Sequence, residues 1–102
     1  MEMKQIDELD LRQYKGMFAV ICNGAEIVVQ PERPDGIRSV KMRASGYQNG
    51  GTYHRKGYEC ELDDIVTVGR QVRHFTRINE SSPLHWGRAT KIYVPVDARL
   101  SS

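Results

Sequence analysis

The chain has few cysteines and no long apolar run. Cys22 and Cys60 are its two cysteines among 102 residues, and they lie 38 positions apart. Two cysteines are too few for a disulfide scaffold, and this separation fits no common metal or redox spacing. The longest uninterrupted apolar run, Met17 to Cys22, has six residues, whereas a helix that spans a bilayer needs about 20. We therefore predict reduced, buried thiols and no membrane segment.

The first residues lack the pattern of a secretory signal peptide. Such a signal begins with basic residues and continues into an apolar stretch. The first ten residues here contain four acidic side chains, Glu2, Asp7, Glu8 and Asp10. The expected location is therefore the cytoplasm.

The composition is that of one small globular domain. Hydrophobic residues make up 39% of the chain and charged residues 27%, and the sequence contains no internal repeat or low-complexity tract. A chain of this length buries enough surface for a single core. We divide it into an N-terminal helical segment (residues 1–16), a β-barrel or sandwich (residues 17–96) and a tail (residues 97–102).

A short helix is predicted between Asp7 and Gly16. Acidic residues stand at its start, where the helix dipole favours them, and Lys15 lies in its last turn. Gly16 occupies the position that commonly ends a helix. We expect about two turns at most.

The clearest local signal is a hairpin around Asn23-Gly24. Two β-rich runs, Phe18 to Cys22 and Ala25 to Val29, flank this dipeptide, which suits a type I′ turn. A two-residue loop gives one wholly apolar face, made by the pairs Phe18–Val29, Val20–Ile27 and Cys22–Ala25.

A second hairpin is predicted from residues 37–48 and 52–62, which flank Asn49-Gly50-Gly51. A two-residue loop would place Arg43 opposite Lys56, two like charges. A three-residue loop instead pairs opposite charges, Lys41 with Glu59. We predict the three-residue loop, with Val40 opposite Cys60 and Met42 opposite Tyr58.

A third hairpin is predicted from residues 64–68 and 71–78. Gly69-Arg70 joins these runs, with Gly in the first loop position that a type II′ turn prefers. A loop over residues 79–87 leads to a last strand, residues 89–94, which Pro95 stops. The fold class is mostly β, a small antiparallel barrel or sandwich of six to seven strands with a short N-terminal helix. The strand order stays open.

The sequence contains no motif for a metal or a cofactor. His54, His74 and His85 lie 20 and 11 positions apart, and local metal sites use much shorter spacings. We predict neither a metal nor a cofactor.

The candidates for catalytic groups have simpler structural explanations. Glu59 and Glu61 share one strand face about 7 Å apart, near the separation of paired catalytic carboxylates. The nearby cations Arg38, Lys41 and Arg43 favour ordinary ion pairs, and they oppose the raised carboxyl pKa that acid–base catalysis needs. Cys22 is expected to pack in the first hairpin rather than to act as a nucleophile. We favour a non-enzymatic role.

One strand carries cations and an aromatic ring on the same face. Alternation along residues 72–78 places Arg73, Phe75 and Arg77 together. Such a stripe suits single-stranded nucleic acid, with arginines on phosphates and a ring under a base. Tyr53 and Arg55 would extend it.

The charge balance and the packing alternatives weaken this reading. Residues 36–102 carry a net charge of +5 and residues 1–35 one of −3, which leaves +2 overall. This is low for a dedicated nucleic-acid binder. Phe75 would equally serve as a covered ring with arginine stems along its edge. The nucleic-acid interpretation is therefore kept as an alternative.

Trp86 is predicted in a loop, within Pro83-Leu84-His85-Trp86. It either closes one end of a barrel or anchors a partner protein, because Trp and Arg dominate interface hot spots. Edge strands of a small sheet also invite pairing between subunits. The interface candidates are Leu84, Trp86 and Arg88, and the expected partner is a second copy of the chain or another protein.

The sequence thus favours a protein-interaction or self-assembling module. The first alternative is a single-stranded nucleic-acid-binding barrel, and the second is a small-ligand barrel or an enzyme whose site forms only in the fold. The first two differ in their response to salt. Counterion release weakens nucleic-acid binding steeply as salt rises, whereas protein assembly is expected to change little.

Overall fold

The structure, a computed structural model, describes the backbone of residues 2–22, 24–45, 52–75 and 84–100 and the side chains of residues 2–22, 24–41, 59–75 and 86–100. Nine strands lie in these ranges: β1 Met3–Ile6, β2 Glu8–Asp10, β3 Phe18–Cys22, β4 Ala25–Val29, β5 Arg38–Ser45, β6 Thr52–Leu62, β7 Ile65–Thr67, β8 Gln71–Phe75 and β9 Leu84–Pro95. None of the described residues is helical, and thus none of them belongs to a helix long and apolar enough to cross a membrane.

Six of the strands close into an antiparallel barrel. They follow the order β9-β3-β4-β5-β6-β8, and β8 pairs with β9 to complete the ring. Strand β1 pairs with β9 outside this ring, and β2 pairs with β7 in a separate two-stranded sheet. Of the two architectures that the sequence left open, the structure is the barrel.

The predicted first hairpin is confirmed with its register. Strands β3 and β4 pair Phe18 with Val29, Val20 with Ile27 and Cys22 with Ala25. Gly24 adopts a φ of 77°, as the second position of a type I′ turn requires. The apolar face enters the core, where its members with no exposed surface are Phe18, Val20, Cys22, Ile27 and Val29.

The predicted N-terminal helix over Asp7 to Gly16 is wrong. Residues 8–10 form β2, and a single turn follows in which the amides of Gln13 and Tyr14 both donate to the Asp10 carbonyl. Leu9 and Leu11 are buried while Glu8 and Arg12 are exposed. This period-two pattern is that of a strand, and the acidic residues that resembled a helix start lie on its solvent side.

The predicted register of the second hairpin is also wrong. Strands β5 and β6 pair Val40 with Tyr58, and beyond a bulge they pair Met42 with Arg55 and Ser45 with Thr52. Near Val40 the register differs from the prediction by two residues, a shift that does not exchange the two faces of the strands. Beyond the bulge the difference is three residues. The apolar pattern cannot distinguish registers two apart, and the Lys41–Glu59 pair that decided the prediction is a weak surface interaction. The predicted loop, Asn49-Gly50-Gly51, lies outside the described residues.

The third predicted hairpin has its strands but not its pairing. The Arg70 amide donates to the Thr67 carbonyl over 3.1 Å, and Gly69 has a φ of 91°. Glycine therefore stands third in the turn, as in a type II turn, rather than second as in type II′. The two strands on either side of this turn do not pair with each other. Strand β7, before the turn, pairs with β2, and β8, after it, pairs with β6 and β9.

The last strand begins earlier than predicted. Residues 84–87, predicted as part of a loop, belong to β9, which runs to Pro95. Strand β9 pairs with β3 along one edge. Its other edge is shared, since β8 pairs with residues 84–88 and β1 with residues 92–95.

The barrel core continues into the small sheet and the C-terminal residues. Leu9 and Val66, which pair across β2 and β7, belong to the same buried cluster as the barrel side chains. Ala98 and Leu100 lie in the predicted tail, are partly buried and pack against this cluster. The core is therefore one unit from β2 to the C-terminal residues.

Arg38 is a buried cation that joins three segments of the chain. Arg38 is only 2% exposed. Its guanidinium donates to the carbonyls of Tyr14, Gly16 and Gln30 over 2.9–3.0 Å. Its guanidinium carbon lies 5.5 Å from the centre of the Phe18 ring. Burial lowers the pKa of this guanidinium. Because the three carbonyls turn inward, the loop before β3 and the end of β4 depend on Arg38 for their hydrogen bonds.

Replacing Arg38 should strongly destabilise the protein. Arg38→Met keeps a long side chain but leaves buried carbonyls without donors, each at a cost of about 1–3 kcal/mol. We expect a loss of more than about 3 kcal/mol in the free energy of unfolding, measured by urea denaturation. Lys41→Met, on the exposed face of the same strand, is the control and should change stability by less than about 0.5 kcal/mol. Equal stability of the two variants would contradict the role of Arg38.

Candidate functional site

The predicted interface residues lie on β9, and Trp86 is buried there. Trp86 is 9% exposed, and its ring stacks on His74 with centroids 4.4 Å apart and an interplanar angle of 24°. Arg88 is exposed, whereas the side chain of Leu84 lies outside the described residues. Of the two roles considered for Trp86, this position fits the one in which the ring fills the barrel.

A core role for Trp86 predicts a large effect on stability. Trp86→Ala should remove about 3–5 kcal/mol from the free energy of unfolding because it leaves a cavity beside His74. Arg88→Ala, two positions along the same strand, should change it by less than about 0.5 kcal/mol. Thermal and urea denaturation of both variants measure the difference. A folded, stable Trp86→Ala variant would make Trp86 an interface anchor again.

The structure brings two of the five nucleic-acid candidates together on β8. Arg73 is exposed and Phe75 partly exposed on one face, while Val72 and His74 are buried on the other. The predicted alternation is therefore confirmed for this strand.

The remaining candidates and the charge of Arg73 limit this stripe. Arg73 Nε donates to Asp63 Oδ2 over 2.6 Å, and this hydrogen bond raises the pKa of Arg73. Tyr53 and Arg55 are on β6, but their side chains, and all of Arg77, lie outside the described residues. The described part of the stripe therefore consists of Arg73, whose charge is already paired with Asp63, and the half-buried ring of Phe75.

Of the two candidate acids on β6, Glu59 forms an ion pair, although not with the predicted cation. Glu59 and Glu61 are both exposed. Glu59 Oε2 lies 3.0 Å from Nη2 of Arg33, which comes from the loop before β5 and also binds Asp35. The predicted partner, Lys41, pairs with Val28 on β4 instead. Within the described side chains, no group of three or more His, Cys, Asp or Glu residues is arranged to hold a metal ion.

Both cysteine thiols are enclosed by the core. Cys22 is completely buried and Cys60 is 2% exposed, and both are free of disulfides. Burial raises the pKa of the Cys22 thiol to about 11 and that of Cys60 to about 12. Since the thiolate is the nucleophile, these groups are poorly reactive at neutral pH.

Thiol modification measures this directly. At pH 8 we expect native protein to react with a disulfide reagent such as dithionitrobenzoate no faster than it unfolds, because both thiols are buried and protonated. Denaturant should make both thiols react at once. Rapid modification of one thiol in the folded protein would identify an accessible nucleophile and reopen the enzymatic alternative.

A polar cleft of about 360 Å³ lies between the turn after β2, the loop before β5 and the connection from β6 to β7. Its charged groups are largely satisfied within the fold. Lys15 pairs with Glu32 at 3.0 Å, Arg12 pairs with Asp10 at 2.9 Å, and Arg38 donates to backbone carbonyls. With both signs of charge interleaved, the cleft selects no one class of ligand.

Strand β1 presents a free edge outside the closed barrel. Among the described strands it pairs with β9 alone. The Val96 amide donates to the Glu2 carbonyl over 3.1 Å. Because hydrogen bonding alternates along an antiparallel ladder, the even residues of β1 bond to β9, and the peptide groups of Met3 and Gln5 point away from it.

The surroundings of this edge are partly apolar. Met3 and Ile6 are half-buried and Lys4 and Gln5 exposed. Val96, which continues β9 beside Glu2, is 48% exposed. An exposed strand edge with apolar side chains nearby is a surface on which another strand can pair.

Comparisons of the chain with protein-family models, with curated proteins and with solved structures gave no match. Function has therefore to be inferred from the geometry of this chain.

Proposed function

We propose that the protein is a non-enzymatic interaction module that joins another protein chain, or a second copy of itself, by strand addition at β1. The observation that supports this most is the outward direction of the Met3 and Gln5 peptide groups on a strand outside the closed barrel. In strand addition such groups supply main-chain hydrogen bonds to the partner, and neighbouring side chains supply specificity.

The edge of β1 suits this role better than the edges of the small β2–β7 sheet. Strands β2 and β7 have three residues each, which offers a partner fewer hydrogen bonds. Each bond that forms contributes about 0.5–1.5 kcal/mol, so a stable contact also needs apolar burial. Val96 and the partly exposed Met3 provide it next to β1.

The interface proposed at β1 does not include Trp86. Since the Trp86 ring is already stacked on His74, it has little surface left to offer a partner. Arg88 stays exposed and remains a candidate for the rim. Two buried free thiols suit a reducing compartment, and we propose the cytoplasm.

A second candidate function is single-stranded nucleic-acid binding on β8. The partial exposure of Phe75 beside Arg73 supports it, because a covered ring could not stack on a base. The ion pair from Arg73 to Asp63 counts against it, since a phosphate would have to compete with the carboxylate.

Met3→Pro tests strand addition. Proline removes the outward N–H of Met3 and leaves the bonds from Lys4 and Ile6 to β9 in place, as proline on an edge strand can. We expect wild-type protein to form an assembly, measured by light scattering, and Met3→Pro to be a monomer. Met3→Val is the matched control because it keeps the N–H and should assemble.

Adding a short single-stranded oligonucleotide at low and moderate salt separates the two candidate functions. An assembly whose mass does not change when the oligonucleotide is added agrees with strand addition. A monomer that gains mass with oligonucleotide and loses it as salt rises would favour the nucleic-acid function. An assembly that persists in folded Met3→Pro would show that β1 is not the interface.

A labelled peptide of alternating threonine and valine, followed by fluorescence anisotropy, tests whether the edge accepts a foreign strand. Strand addition relies mainly on backbone bonds, so we expect binding to wild type and to Met3→Val and loss of binding with Met3→Pro. Equal binding to Met3→Pro would contradict the proposal.

A further inference from the structure

We infer that the partner strand is β1 of a second copy, paired antiparallel about a twofold axis at Met3, with Glu2 of each copy facing Lys4 of the other. This inference rests on the proposed function, and it adds the identity of the partner and the register of pairing.

The backbone limits the registers that two β1 strands can adopt. The outward peptide groups belong to the odd residues Met3 and Gln5, because the even residues bond to β9. Odd residues of one copy must therefore face odd residues of the other. Within β1 this permits four twofold registers, centred on Met3, Lys4, Gln5 or Ile6.

The charges of the strand distinguish these registers. Centring on Gln5 or on Ile6 forms no pair between Glu2 and Lys4, because the acidic residues that come next, Asp7 and Glu8, lie at the bend after β1 and on β2, which pairs with β7. Centring on Lys4 places the two Lys4 side chains directly opposite each other. Like charges directly opposite on adjacent strands are destabilising. Centring on Met3 makes two identical Glu2–Lys4 pairs. Both occupy non-hydrogen-bonded positions of the new ladder, where opposite side chains come closest together.

The side chains concerned are available for these pairs. Glu2 and Lys4 are exposed, and neither makes an ion pair with another described residue. Glu2 lies opposite Val96, the residue that follows β9, and Lys4 lies opposite Val94 on β9. In the dimer the Lys4 stem therefore extends toward the exposed Val96 of the other copy, where its methylenes can cover apolar surface.

The contact is short, so the dimer should form reversibly in a concentration-dependent way. Small interfaces are characteristic of weak association. Two ion pairs then form a large part of the specificity, which makes charge reversal a sensitive test.

The test uses Glu2→Lys and Lys4→Glu, alone and mixed. Each variant alone brings like charges together at both pairs, and we expect its dimer dissociation constant to rise about tenfold or more. In an equimolar mixture the two variants complement each other. Glu2→Lys has lysine at positions 2 and 4, and Lys4→Glu has glutamate at both, so each lysine of one variant faces a glutamate of the other. We expect a heterodimer at concentrations where each variant alone is a monomer, measured by sedimentation velocity with one variant labelled.

Further variants separate this inference from the proposed function. The double variant Glu2→Lys/Lys4→Glu should dimerise like wild type, because its pairs are exchanged but complementary. Lys4→Gln should weaken the Met3-centred dimer and would instead strengthen one centred on Lys4. Far-UV circular dichroism checks that each variant is folded.

Two outcomes would overturn the inference while leaving strand addition in place. One is an assembly that Met3→Pro abolishes but that forms neither in the mixture of Glu2→Lys with Lys4→Glu nor in the double variant. The other is a monomer at all concentrations that still binds the threonine–valine peptide through β1. An assembly unaffected by Met3→Pro would overturn the proposed function itself.

Discussion

Strand β9 is longer than any of its partners, and the free edge of β1 follows from this mismatch. It has 12 residues, whereas β8 and β3 have five each. Strand β8 closes the barrel over the first part of one β9 edge, and that edge would otherwise continue unpaired toward Pro95. Strand β1 covers the rest and thereby becomes the outermost strand. Closing a barrel removes the free edges of its strands. Here six strands close, and the seventh, β1, pairs with β9 outside the ring and has a free edge of its own.

Pro95 fits this arrangement because of its place in the ladder. It faces Met3 at a position where β9 does not bond to β1, as the bond from Val96 to Glu2 indicates. Its missing N–H therefore costs no bond to β1. The same alternation that accommodates this proline directs the peptide groups of Met3 and Gln5 outward, so the end of the barrel and the candidate interface are consequences of one ladder.

Hydrogen bonds from side chains hold the connections to the barrel in place. Arg38 replaces secondary structure as the hydrogen-bond partner of three carbonyls that no strand reaches. The turn after β2 is held in a similar way, since Asp10 accepts from the backbone and side chain of Arg12. These local bonds let short loops join the barrel and the small sheet within one core.

The sequence alone determined the fold class, the first hairpin with its register, the burial of both thiols and the two faces of β8. Each of these depends on local alternation or on a turn dipeptide, which neighbouring residues specify almost completely. The acidic start of residues 7–16 misled, because the buried Leu9 and Leu11 gain more from pairing beside β7 than a two-turn helix could supply.

The tertiary structure alone decided the register of β5 and β6, the partners of β7, the burial of Trp86 and the position of β1 outside the barrel. Shifting a strand by two residues leaves its faces unchanged, so the apolar pattern could not choose that register. The pairing of β1 depends on how far β8 extends along β9, a relation between segments at opposite ends of the chain. The free edge, and with it the candidate interface, exists only once the barrel has closed.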